Sequence, residues 1–86
     1  MPEVSRFYGI IIAMYYNEHG APHFHAKYGG QTAVFTISDL DVLEGQLPRR
    51  VRGLVLEWAF EHRAELMENW VLAQAKKPMK DIAPLE

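Results

Sequence analysis

His23-Phe24-His25-Ala26-Lys27-Tyr28-Gly29-Gly30-Gln31-Thr32-Ala33-Val34-Phe35-Thr36-Ile37 reads as a β-hairpin, and this hairpin decides the fold class. Phe24, Ala26 and Tyr28 alternate with His23, His25 and Lys27. A period of two sends successive side chains to opposite faces of a strand. Gly29-Gly30 tolerates the positive φ angles that a two-residue hairpin turn requires. The return strand, residues 31–37, carries its apolar set at Ala33, Phe35 and Ile37.

Moving outward, Asn17-Glu18-His19-Gly20-Ala21-Pro22 is turn chemistry. Before it, Phe7–Tyr16 reads as a strand with both faces apolar, suited to the centre of a sheet or to a subunit contact. After the hairpin, a short fourth strand is expected around Asp41–Glu44, closed by Glu44-Gly45. Pro48 then sits where a first helical turn tolerates proline. Val51, Leu54, Val55, Trp58, Leu66, Trp70 and Ala73 follow at helical spacing, and Pro78 marks a stop. One helix from Pro48 to Lys76 would be about 43 Å long, too long for so small a domain. His62 and Arg63 suit a helix C-terminus while Glu65 and Glu68 suit a helix start. Two helices meeting near His62 are therefore expected.

The expected fold is α+β: a three- or four-stranded antiparallel sheet packed by one or two C-terminal helices. A single domain spans residues 1–86, with strands over about 5–45, helices over about 48–76 and an extended tail at 77–86. With 86 residues the chain has no room for a second domain. Half of it (49%) is hydrophobic, which argues against disorder. The formal charge of −2 excludes a domain-wide basic footprint for nucleic acid. There is no cysteine, which removes disulfides, thiolate metal sites and cysteine nucleophiles, and suits a reducing compartment. The longest apolar run, Phe7–Tyr16, is about half the roughly 20 residues that cross a bilayer. Met1-Pro2-Glu3 precedes it where a secretory signal would be basic. A cytoplasmic chain with no membrane partner is expected.

Chemistry concentrates at His19, His23 and His25. Two histidines at i and i+2 on a strand project from one face, and the turn bearing His19 can fold back over that face. Three imidazoles around zinc or another divalent ion would resemble a His₃ catalytic site. Without metal, the same residues are candidate general acids and bases, because histidine titrates near neutrality. A third reading is purely structural, with the imidazoles solvated or hydrogen-bonded.

Arg49-Arg50-Val51-Arg52 is the second oddity, since cations in a first helical turn oppose the macrodipole. Arg49 and Arg50, with Arg6 and Lys27, are candidate anion- or substrate-binding residues; alternatively the arginines pair with Glu44 or Glu57. His62 falls in the apolar phase of the helix, as a half-buried residue with a partner or as a fourth member of the histidine cluster. Trp58 and Trp70 read as core. There is no phosphate-binding glycine loop, no His-Glu-x-x-His and no serine elbow.

Ser5-Arg6-Phe7-Tyr8-Gly9-Ile10, Met14-Tyr15-Tyr16, His19, Pro22-His23-Phe24-His25-Ala26, Glu44-Gly45, Leu47-Pro48, Trp58, His62, Leu66, Asn69-Trp70 and Pro84-Leu85 together resemble a family of small prokaryotic proteins, domain of unknown function 4160. The likeness covers essentially the whole chain, and Pro22–His25 is its most specific block. A Pro-Pro step often precedes the histidine pair in that family, where this chain has Ala21-Pro22. The resemblance implies a compact α+β fold and a protein partner encoded beside it, commonly of the 2442 class, in a toxin–antitoxin-like module; it names no substrate.

Three functional readings follow. The first is a toxin–antitoxin-type protein acting through its operon partner, with metal-independent cleavage of RNA by His23, His25 and His19 and phosphorane stabilisation by Arg6, Arg49 or Arg50. The second is a non-catalytic interaction module using its helices or an exposed strand edge. The third is a metal-binding protein built on His19, His23 and His25. Homodimerisation is a further expectation, because a small domain gains by burying more apolar area.

Overall fold

In the computed structural model, which describes residues 2–86, Phe7–Tyr16 is not one strand. Met1, the first residue of the expected domain, lies outside the described residues. β1 (Glu3–Phe7) and β2 (Ile10–Ala13) form an antiparallel hairpin in which Phe7 pairs with Ile10. The chain reverses at Tyr8 and Gly9, whose φ angles are 50° and 79°. Two successive positive φ values give the tight turn whose twist matches its flanking strands. Glycine adopts this region freely, whereas Tyr8 bears a strain of about 1–2 kcal/mol. An unbroken apolar run with no Asn-Gly or Gly-Gly signal hides this turn.

The extra hairpin raises the strand count to five. β3 (His23–Tyr28), β4 (Gln31–Thr36) and β5 (Val42–Gly45) complete an antiparallel meander in the order β1-β2-β3-β4-β5. The Gly29-Gly30 turn is as expected, with Tyr28 paired to Gln31. A bulge in the β4–β5 ladder leaves Leu43 as an extra residue between Val42, opposite Phe35, and Glu44, opposite Val34. Gly45 ends β5 with φ 72°, and a Cβ there would lie 2.1 Å from the Thr32 carbonyl oxygen. Only glycine fits that approach.

Two helices follow, α1 (Arg49–Glu61) and α2 (Arg63–Gln74), and they part at His62, whose φ and ψ are −121° and 23°. The break falls near His62 as expected, but Arg63 opens α2 and does not close α1. His62 Nδ1 donates to the Glu65 carboxylate at 2.5 Å, drawing a carboxylate into the first turn of α2 where the macrodipole favours it.

The inner sheet face buries Phe7, Ile10, Ile12, Phe24, Ala26, Ala33 and Phe35 in one core with Val51, Val55, Trp58, Leu66 and Trp70. Trp58 lies 5.4 Å from the Phe7 ring and 6.1 Å from Phe24, and its indole N–H donates to the Ala83 carbonyl at 2.8 Å. A buried tryptophan thus satisfies its one polar atom on the tail. The extended tail is held again by buried Asn69, whose amide donates to the Lys80 carbonyl at 2.8 Å and accepts from the Lys80 N–H at 2.9 Å. Ile82 N–H then donates to the Val4 carbonyl at 2.8 Å, along the free edge of β1. No helix among the described residues is long and apolar enough to cross a membrane.

Candidate functional site

The site is built on the outer face of β3 by the loop that joins β2 to β3. His23 and His25, two residues apart, point to the same side, with ring centroids 5.5 Å apart. The joining loop folds back over them as its turn chemistry suggests, but it presents Glu18 rather than His19. One Glu18 carboxylate oxygen, Oε1, lies 3.4 Å from His23 Nε2 and accepts a short hydrogen bond from His25 Nε2. His19, one residue later, is exposed and outside this group. The expected His19, His23, His25 constellation is therefore corrected to Glu18, His23, His25. Parity explains the difference: alternation predicts facing on a strand, but in an irregular turn it does not say which residue points inward.

Each ring is fixed from behind. His23 Nδ1 lies 2.7 Å from the Ala21 carbonyl oxygen. A carbonyl only accepts, so Nδ1 carries a proton, and Nε2 faces Glu18. Trp70 of α2 packs 5.0 Å from the His23 ring. Tyr15 meets His25 edge-on at 4.8 Å, and the Lys27 ammonium lies 5.6 Å from the Tyr15 ring centroid. Solvent still reaches the group, with side-chain exposures of 11% for His23, 19% for His25 and 26% for Glu18.

The loop is tied to the far end of α2. Gln74 donates to the Glu18 carbonyl at 3.0 Å, and the Lys76 ammonium reaches the Tyr16 carbonyl at 3.0 Å and the Asn17 side-chain oxygen at 2.7 Å. Lys76 has φ 59°, a helix-ending conformation that normally selects glycine. Burial raises the Glu18 pKa, but hydrogen bonding and charge from His25 and His23 outweigh it, so the carboxyl is held below its ordinary value. Glu18 is thus a carboxylate at neutral pH, the form that binds cations.

None of the predicted arginines touches the cluster. Arg6 is exposed and forms a two-point ion pair with Glu3, at 2.9 and 2.7 Å. Arg49 and Arg50 stand in the exposed first turn of α1, and Arg50 borders a shallow cavity with Tyr8, Leu54 and Leu85. No guanidinium is among the partners of Glu18, His23 or His25, and neither Glu44 nor Glu57 pairs with an arginine among the described residues. Lys27 and Arg6 share the site's sheet face, aligned across β2 through Ile11, but Arg6 is held by Glu3. His62 packs at a tilt against Trp58, with ring centroids 5.4 Å apart, and pairs with Glu65, apart from the cluster. Tyr15 and Glu18 read in the sequence only as parts of an apolar run and of a turn, and nothing in either pattern marks them as site residues.

One nitrogen from each imidazole and one Glu18 oxygen lie within 4.8 Å of one another. Two nitrogens and a carboxylate oxygen are a donor set used by zinc and by other divalent first-row metals. The family model described as Domain of unknown function (DUF4160) matches residues 9–71, a stretch that contains all three donors. No curated protein and no solved structure matches the chain.

Proposed function

The chain belongs to the DUF4160 family, and from the geometry of its outer sheet face we propose that Glu18, His23 and His25 bind a divalent metal ion, with zinc the best fit. The observation that carries this reading is the convergence of the three donor atoms within 4.8 Å. Ligands about 2.1 Å from a tetrahedral ion stand about 3.4 Å apart. His23 Nε2 and Glu18 Oε1 are separated by 3.4 Å. His25 and Glu18, now joined through a proton, open as the ion replaces that proton. The Ala21 carbonyl supplies the support that metal-bound histidines characteristically have, a backbone acceptor for the other ring nitrogen. Three protein ligands leave a fourth position for water or substrate, the arrangement of a catalytic zinc site. A water held there is acidified into a nucleophile at neutral pH.

Metal analysis of the purified chain, followed by zinc titration of a chelator-treated sample, tests this. About one equivalent is expected for the wild type, with loss in His23→Ala, His25→Ala and Glu18→Gln and retention in His19→Ala. Binding that needs His19, or no binding at all, would refute it.

A second reading has one observation in its favour. Lys27 occupies the same strand face two residues beyond His25, so two imidazoles and an ammonium line one surface. That set suits metal-independent acid–base cleavage of RNA within a toxin–antitoxin-type complex with an operon-encoded partner. RNA cleavage that survives chelator but not His23→Ala, together with co-purification of the adjacent gene product, supports it over the metal reading.

A further inference from the structure

The two edges of the sheet are finished differently. The β1 edge is met by the chain's own tail through the Ile82–Val4 hydrogen bond. At the other edge all four residues of β5 are exposed, including Val42 at 42% and Leu43 at 52%. Among the described residues no backbone hydrogen bond closes the outer side of β5. Unpaired strand groups beside exposed apolar side chains are a template for another strand.

The charges beside this edge are segregated and unused. Asp39 and Asp41 precede β5, while Arg49, Arg50 and Arg52 follow it in the first turn of α1. None of these five side chains has an ion pair or hydrogen bond among the described residues. The first turn of α1 contains no acidic residue and has no side-chain cap, so its three cations oppose the macrodipole without local compensation. Arg52 and Val42 line the same cavity of about 260 Å³, which places Arg52 beside the open edge, with Arg49 one turn before it, while Arg50 faces Tyr8 and Leu85 on another side of the helix.

We propose that β5 pairs antiparallel with β5 of a second copy of this chain about a two-fold axis, joining the two sheets into one of ten strands. Antiparallel pairing runs the segment before β5 in one copy along the segment after β5 in the other. Asp39 and Asp41 of each copy are thereby carried toward the arginine-rich turn of its partner. The acidic and basic blocks become complementary twice over, as a two-fold contact requires, and the carboxylates offset the cations that oppose the helix dipole. Val42 and Leu43 leave water at the same contact. The short strand and its bulge limit the ladder to a few hydrogen bonds, so the association is reversible and does not propagate.

Sedimentation of the full chain across a concentration series tests this through two charge reversals. Wild type is expected to dimerise, more weakly at high salt. Asp39→Lys/Asp41→Lys and Arg49→Glu/Arg52→Glu should each raise the dimer dissociation constant at least about tenfold, because like charges then face each other. Mixing the two variants should restore a dimer, since every facing pair is again opposite in sign. All four positions are exposed, and unchanged circular dichroism spectra would show that the fold is kept. A monomeric wild type, a dimer indifferent to both reversals, or a mixture that fails to associate overturns the proposal. Capture only of a different acidic protein on this edge overturns it as well.

Discussion

Asn69→Ala should detach the tail from α2 and lower stability measurably. Asn69 is 1% exposed, and its amide makes two hydrogen bonds to the backbone of Lys80, at 2.8 and 2.9 Å. Each such bond is worth about 0.5–1.5 kcal/mol net. Lys80 is exposed, so its N–H and C=O recover water when the amide is removed, and the penalty of stranding them buried is avoided. The loss is then the two bonds themselves, about 1–3 kcal/mol. For a domain of this size 1 kcal/mol moves Tm by about 4–8 °C, so a fall on the order of 8–16 °C corresponds to the middle of that range. Thermal unfolding followed by circular dichroism supplies the number. Hydrogen exchange at the Ile82 amide supplies the mechanism, because Ile82 bonds to Val4 only while the tail is aligned. A Tm drop below about 2 °C with full protection at Ile82 would refute the reasoning.

Three further outcomes are expected. Gly45→Ala must adopt φ 72° and place a Cβ 2.1 Å from the Thr32 oxygen, so urea unfolding should show a loss above about 1 kcal/mol, with the greatest increase in exchange at the β4–β5 ladder. Glu18 has a lowered folded pKa; its contribution to stability is present above its unfolded value near 4.5 and is lost as pH falls through the folded value. The acid limb of the stability–pH curve should therefore be shallower for Glu18→Gln than for wild type. Lys76→Gly relieves a left-handed conformation yet removes the ammonium that holds Tyr16 and Asn17, so zinc affinity should fall even though the helix end is relaxed.

The β3–β4 hairpin and the helix break were legible for definite reasons. Strict alternation and Gly29-Gly30 specify the hairpin, and the break falls at His62 with Glu65 in the first turn of α2, although Arg63, expected to close the first helix, opens the second and donates to the Ser38 carbonyl. The Tyr8-Gly9 turn was hidden because one residue that turns left-handed without being glycine leaves no compositional trace. The inward residue of the loop was hidden too, for the period that identifies His23 and His25 does not extend through Asn17–Ala21. Asn69 and Lys76 bind backbone groups distant in sequence, and the identity of a backbone partner is never written in side-chain pattern. Arg49 and Arg50 stand out in the sequence as cations in a first helical turn, but only the fold separates them from the histidines and sets Arg50 against Tyr8 and Leu85, with Arg52 beside the open strand edge.

Anomalous diffraction at the zinc edge, from crystals of the chain grown with zinc, addresses the metal site most directly. A peak bonded to Glu18 Oε1, His23 Nε2 and His25 Nε2 at about 2.0–2.2 Å, with His19 uninvolved, is the predicted result. Density absent from that face, or an ion held instead by His62 and Glu65, would contradict it.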